Sequence, residues 1–118
     1  ATKDNVVYFL GLPHENDENH EAYAKILNKF IQKQSLKVVY VPHRYEKIRK
    51  SMQLVFDQFD VEVRQLGMPV EMYFLTNKII PNTVSGVGSS AFFTLAFLYP
   101  ETKYQSINHI ATSPKPMR

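Results

Sequence analysis

Short apolar, β-rich runs alternate with stretches of helical periodicity along this chain, and that alternation constrains the fold more than any other feature. Val6-Val7-Tyr8-Phe9-Leu10 is continuously apolar and stops at Gly11, as a strand covered on both faces does. After a polar loop, Pro13 to Glu18, a helical period places Tyr23, Ile26, Leu27, Phe30 and Ile31 on one face with charges opposite. Asn16, Asp17 and Asn19 are candidate N-caps for it. Val38-Val39-Tyr40-Val41 is a second buried run, ended by Pro42, and residues 45–59 carry a second amphipathic period through Ile48, Met52, Val55, Phe56 and Phe59. Residues 61–66 alternate like a strand near an edge. Gly67-Met68-Pro69 breaks that run, Val70 to Leu75 suits a short helix, Thr83 to Val87 a strand, residues 89–99 a helix and Tyr104 to Ile110 a last strand.

Strand and helix in regular alternation predict an α/β fold, a three-layer α/β/α Rossmann-like sandwich with a mainly parallel sheet. With 118 residues, one domain is the expected count, spanning 1–111, and Thr112-Ser113-Pro114-Lys115-Pro116-Met117-Arg118 resembles a disordered tail or linker. The chain begins without Met and enters a strand almost at once, which suggests a piece of a longer protein. No signal peptide is expected at its start, and it contains no apolar run of bilayer-spanning length. The absence of cysteine excludes thiolate metal ligands, thiol nucleophiles and disulfides, and fits a reducing compartment. A net charge of +3 is far from the basic stripe of a nucleic-acid binder, so no nucleic-acid partner is expected. It suits a small anionic ligand, or weak peripheral contact with an acidic membrane surface.

Ligands of open α/β sheets bind beyond the carboxyl ends of the strands. That rule selects three loops: 11–18, 42–46 and 86–90. The third, Ser85-Gly86-Val87-Gly88-Ser89-Ser90 before the apolar Ala91-Phe92-Phe93, has the pattern of a phosphate-holding helix start. There the first amides lack intrahelical partners, the glycines admit close backbone approach, and Ser89 and Ser90 add hydroxyl donors. Ser89 as a plain N-cap after turn glycines fits the same residues. In the second loop, His43 can donate to a phosphate oxygen or protonate a leaving group, because an imidazole changes charge near neutral pH. Arg44 can clamp a phosphate through two N–H groups; equally, both residues suit a solvent-facing loop. In the first loop, His14 and Glu15 can reach the same edge, and Gly11 and Pro13 belong to the same candidate donor-site loop. Glu71 lies in the apolar segment Met68 to Phe74, where a carboxylate calls for donors such as sugar hydroxyls, or for a place at the surface. His14, His20, His43 and His109 form no close pair of metal-ligand type, and no metal is expected. The basic run Arg44, Lys47, Arg49 and Lys50 is expected on the wet face of a helix, and Phe92, Phe93 and Phe97 in the core.

Four segments taken together carry a family resemblance. They are Tyr8-Phe9-Leu10-Gly11-Leu12-Pro13, Tyr40-Val41-Pro42-His43-Arg44-Tyr45-Glu46-Lys47, Met68-Pro69-Val70-Glu71, and Ser85 to Phe93. In this order and spacing, over roughly Val6 to Ile110, the chain resembles the carboxyl-terminal half of bacterial sialyltransferases with a GT-B fold, near the lipooligosaccharide sialyltransferases and the α-2,8-polysialyltransferases. The resemblance implies that His43 is the general acid and contacts the donor phosphate. It also implies that Ser89, Ser90 and Gly88 bind that phosphate and that Glu71 holds the ribose of the cytidine nucleotide. Arg44 departs from the pattern, standing where the family's His-Pro motif has proline.

The implied reaction is inverting transfer of sialic acid from CMP-sialic acid to a glycan hydroxyl, with no metal or cofactor. Fixed donors aimed at the phosphate charge of departing CMP would stabilise the transition state above the ground state. By the same resemblance the general base and most of the acceptor site belong to a missing amino-terminal GT-B domain. The 118-residue fragment is therefore expected to bind nucleotide without transferring sugar, and the family works in the cytoplasm at the inner face of the bacterial inner membrane. Two other readings stay open: half of a GT-B transferase for another nucleotide sugar, and a non-catalytic α/β binding module.

Overall fold

A computed structural model describes residues 2–11, 17–44, 46–86 and 91–107. In chain order it runs β1 (Thr2–Lys3), β2 (Val6–Leu10), α1 (Asp17–Gln32), β3 (Lys37–Val41), α2 (Lys50–Phe59), β4 (Glu62–Val63), α3 (Val70–Thr76), β5 (Ile79–Ile80), β6 (Thr83–Gly86), α4 (Ala91–Leu98) and β7 (Lys103–Ser106). Five strands form one parallel sheet in the order β4-β3-β2-β6-β7. The first long strand is therefore central, and the chain adds strands to one side of it before adding to the other.

Because β2 and β3 have neighbours on both edges and layers on both faces, their side chains beyond the first residue of each are buried whichever way they point. Val7, Phe9, Val38 and Tyr40 face one layer with Tyr23, Leu27 and Ile31 of α1 and Met52, Val55 and Phe56 of α2. Tyr8, Leu10, Val39, Val41 and Val84 face the other with Phe74 of α3 and Leu95 of α4. The molecule is thus the α/β/α sandwich that the alternation predicts. Phe9 is the aromatic centre of the first layer: its ring lies 5.2 Å from Phe30, 5.8 Å from Tyr40 and 6.2 Å from Tyr23.

Several elements depart from the sequence reading. The helix expected over 45–59 begins at Lys50, because Glu46 is taken out of helical geometry by a turn in which its N–H donates to the His43 carbonyl at 2.8 Å. Its carboxylate is turned inward. Arg44, Lys47 and Arg49 consequently precede the helix, and only Lys50 of the basic run belongs to it. The strand expected over 61–66 is two residues long; Arg64 extends its ladder with one N–H to the Tyr40 carbonyl at 2.9 Å. Gly67, at φ 71°, then turns the chain in a backbone region that suits glycine. The last strand is Lys103–Ser106, paired with the four residues of β6, and the Ile107 N–H donates to the Gly86 carbonyl at 2.8 Å beyond it; residues 108–110 of the expected strand lie outside the described residues.

Phe93 and Phe97, expected in the core, are 82% and 88% exposed. Helix α4 is apolar around nearly its whole circumference, yet a helix laid on a sheet buries one stripe. Leu95 and Phe92 occupy that stripe. Unforeseen was the short parallel pairing of β1 with β5. It is tied to the main sheet through Asp4, whose carboxylate accepts from the Tyr8 hydroxyl and from the Asn82 N–H at 3.2 Å. No helix among the described residues is long and apolar enough to cross a membrane.

Candidate functional site

The carboxyl ends of β2, β3 and β4 open onto a cavity of about 520 Å³, within the size range of small-molecule pockets. Leu10 and Gly11 continue from β2, Val41 to Arg44 from β3, and Gln65 to Val70 form the far wall beyond β4. The two sides differ in chemistry. His43, half-buried, and Arg44, exposed, supply N–H donors and charge, while Leu66, Met68, Pro69 and Val70 supply an apolar surface. Gln65 adds an amide on the apolar side. A ligand with an anionic end and a flat or apolar end matches such a division.

Each side is held from behind. Arg64 fixes the start of the far wall: its Nε donates to Glu62 Oε2 at 2.7 Å and its NH1 to the Tyr73 hydroxyl at 3.1 Å, linking β4 to α3. Lys37 Nζ, 3.1 Å from Glu62 Oε1, ties the same carboxylate to β3. These donors hold the Glu62 carboxyl down at about 2, with the hydrogen bond from Arg64 the larger cause and that from Lys37 the next.

The His43 side is held by Glu46. This side chain is 7% exposed. Its Oε1 accepts from the His43 backbone N–H at 3.0 Å, and its Oε2 accepts from the Tyr40 hydroxyl. With the Tyr40 proton so directed, the Tyr23 hydroxyl donates to Tyr40 at 3.4 Å, giving a chain of polar groups from α1 through β3 to the loop. Burial raises the carboxyl of Glu46 above its ordinary range, outweighing the opposing hydrogen bonds from Tyr40 and His43. Burial likewise keeps the Tyr40 and Tyr23 hydroxyls protonated. Gly11 lies directly over this cluster: a Cβ there would meet Glu46 Oε1 at 2.1 Å and the Tyr40 hydroxyl at 2.6 Å. Glycine is required at this position by close approach.

The raised carboxyl of Glu46 has a consequence for stability. A group whose proton is held more tightly in the folded chain contributes stability below its unfolded value, here 4.5, and that contribution is lost as pH rises through the folded value. Urea unfolding from pH 4.5 to 8 should therefore show the wild type losing stability relative to Glu46→Gln as pH rises. Parallel profiles for the two proteins would mean that the carboxylate is not desolvated.

Of the residues singled out in the sequence, the structure brings Gly11, His43 and Arg44 to one cavity. Glu71 does not line it; it sits half-buried in the first turn of α3. Pro13, His14, Gly88, Ser89 and Ser90 lie outside the described residues, as does the segment 112–118. Among the described residues no cluster of acidic and histidine side chains could hold a metal. Sequence reasoning missed the supporting role of Glu46 and the whole Gln65–Val70 wall. A charge three residues after His43, inside an otherwise amphipathic period, is the signal for the first; the Gly67-Met68-Pro69 break is the signal for the second. Comparison of the chain with protein-family models, with curated proteins and with solved structures finds no match.

Proposed function

We propose that this chain is the donor-nucleotide-binding half of a glycosyltransferase, with CMP-sialic acid as the donor and a glycan hydroxyl as the acceptor. The observation that carries the nucleotide reading is the two-sided cavity at the strand ends, with His43 and Arg44 facing a wall made of Leu66 and Met68 to Val70. A nucleoside monophosphate ester has the matching halves, a phosphate for the donors and a ring for the apolar wall. The four sequence segments that resemble sialyltransferases narrow the nucleotide to CMP. In this reading His43 contacts the phosphate and protonates it as the sugar departs, and Arg44 neutralises charge beside it. Glu71 would approach a ribose only from beyond the cavity lining, so the base and ribose contacts fall chiefly to the 65–70 wall.

The test is an NMR titration of the labelled chain with CMP, with UMP and GMP as controls. Binding that is tightest for CMP, with shifts clustered at 42–44 and 65–70, is the expected result. His43→Ala should weaken CMP binding about tenfold, the value of one hydrogen bond to a charged group. Equal response to all three nucleotides would retain a phosphate-binding module and remove the cytidine assignment. Absence of any response up to millimolar CMP, in a folded protein, would remove the nucleotide reading for the chain as it stands.

A further inference from the structure

We infer that Glu46 is the positioning residue of this cavity: one buried carboxylate accepts the His43 backbone N–H and the Tyr40 hydroxyl together, and so fixes the loop that presents His43 and Arg44. The inference about loop geometry stands by itself; its effect on ligand affinity rests on the nucleotide reading above.

The 42–44 segment follows β3 and, among the described residues, pairs with no strand. Two attachments stand out: the Gly11 N–H donates to the Val41 carbonyl at 2.8 Å just before it, and Glu46 closes a reciprocal pair with His43, its N–H donating to the His43 carbonyl and its carboxylate accepting from the His43 N–H. The second carboxylate oxygen anchors that pair to Tyr40, which is fully buried. The Tyr40 ring is itself held between Phe9 and Phe56, with centroids 5.8 and 4.8 Å away. Position is thus transmitted from the rigid centre of the sheet to the cavity rim through the Glu46 side chain. Among the described residues, the groups acting on the carboxylate are Tyr40 from β3, Tyr23 from α1 and the His43 amide from the loop itself. An ionised Glu46 accepts from both partners at once, while protonation removes one of the two acceptors. A buried carboxylate costs stability, and here it is retained next to the cavity, where its geometry serves the loop.

The tether acts on the backbone N–H of residue 43, so it can be followed without interference from the imidazole. In His43→Ala, the amide proton of residue 43 should titrate with the Glu46 carboxyl, in a single step above pH 4.5. The step should vanish in His43→Ala/Glu46→Gln. Glutamine can still accept from the amide through its carbonyl, so Glu46→Gln should keep CMP affinity within about twofold, whereas Glu46→Ala should weaken it about tenfold. A residue-43 amide with no pH step overturns the inference whether or not CMP binds. Unchanged CMP affinity in a folded Glu46→Ala protein also overturns it. If the wild type binds no CMP, the amide titration alone decides the matter, so failure of the nucleotide reading is distinguishable from failure of the tether. Should Glu46→Ala not fold, the Gln pair and the titration carry the test.

Discussion

Phe9→Ala should cost about 3–5 kcal/mol of folding stability, the range for truncating a buried aromatic. Phe9 is fully buried in the central strand, and its ring touches those of Phe30 on α1 and Tyr40 on β3. Its removal opens a cavity where the helical layer meets the sheet, and β2 cannot relax inward because β3 and β6 fix it on both edges. For a domain whose total stability is about 5–15 kcal/mol, the variant should sit at or near the edge of unfolding at 25 °C. Urea denaturation followed by circular dichroism measures this directly. A loss under about 1 kcal/mol would mean that the layer repacks freely, against the interlocking of four aromatic rings described for it.

Gly11→Ala should be nearly as damaging, at about 3 kcal/mol, the upper end of the cost of overpacking. One methyl group is added, yet it falls 2.1 Å from Glu46 Oε1 and 2.6 Å from the Tyr40 hydroxyl. A side-chain end can often swing clear. Here the Tyr40 ring is held by Phe9 and Phe56, so the carboxylate must leave instead. That departure strips the His43 N–H and the buried Tyr40 hydroxyl of their acceptor, adding the cost of unmet buried donors. The same variant should therefore lose CMP response at residues 42–44. Stability within about 0.5 kcal/mol of the wild type would show that the cluster is loosely held.

The architecture was legible because burial on both faces leaves an unmistakable record. The runs 6–10 and 38–41 are apolar at every position, a pattern that only a covered, centrally placed strand requires. The first helical period likewise matched the buried positions Tyr23, Leu27 and Ile31. Legibility failed where a residue answers to a tertiary partner instead of a period. Glu46 continues the helical pattern in sequence, but Tyr40 and the His43 amide claim its carboxylate and delay the helix to Lys50. Phe93 and Phe97 fail differently: apolarity states a preference for burial, while the sheet offers α4 room for one stripe alone. At the site, His43 and Arg44 were found from the strand-end rule. The opposite wall was not, since residues 65–70 read as a strand end and a turn, and only the fold lays them against the loop.

The position of β2 in the sheet also sets the order in which the protein can assemble. Its first partner, β3, arrives soon after it along the chain, so Val7 meets Val38 across one helix. Its second partner does not exist until Thr83, which must find Val7 across most of the molecule. Until then the β2–α1–β3–α2 half has an unpaired central edge and an uncovered face bearing Tyr8, Leu10 and Val39. Closing so large a loop costs entropy before any contact repays it, so refolding should be slower than for a fold of mostly local contacts. The central strand of the sheet is thus laid down well before its second edge can be paired.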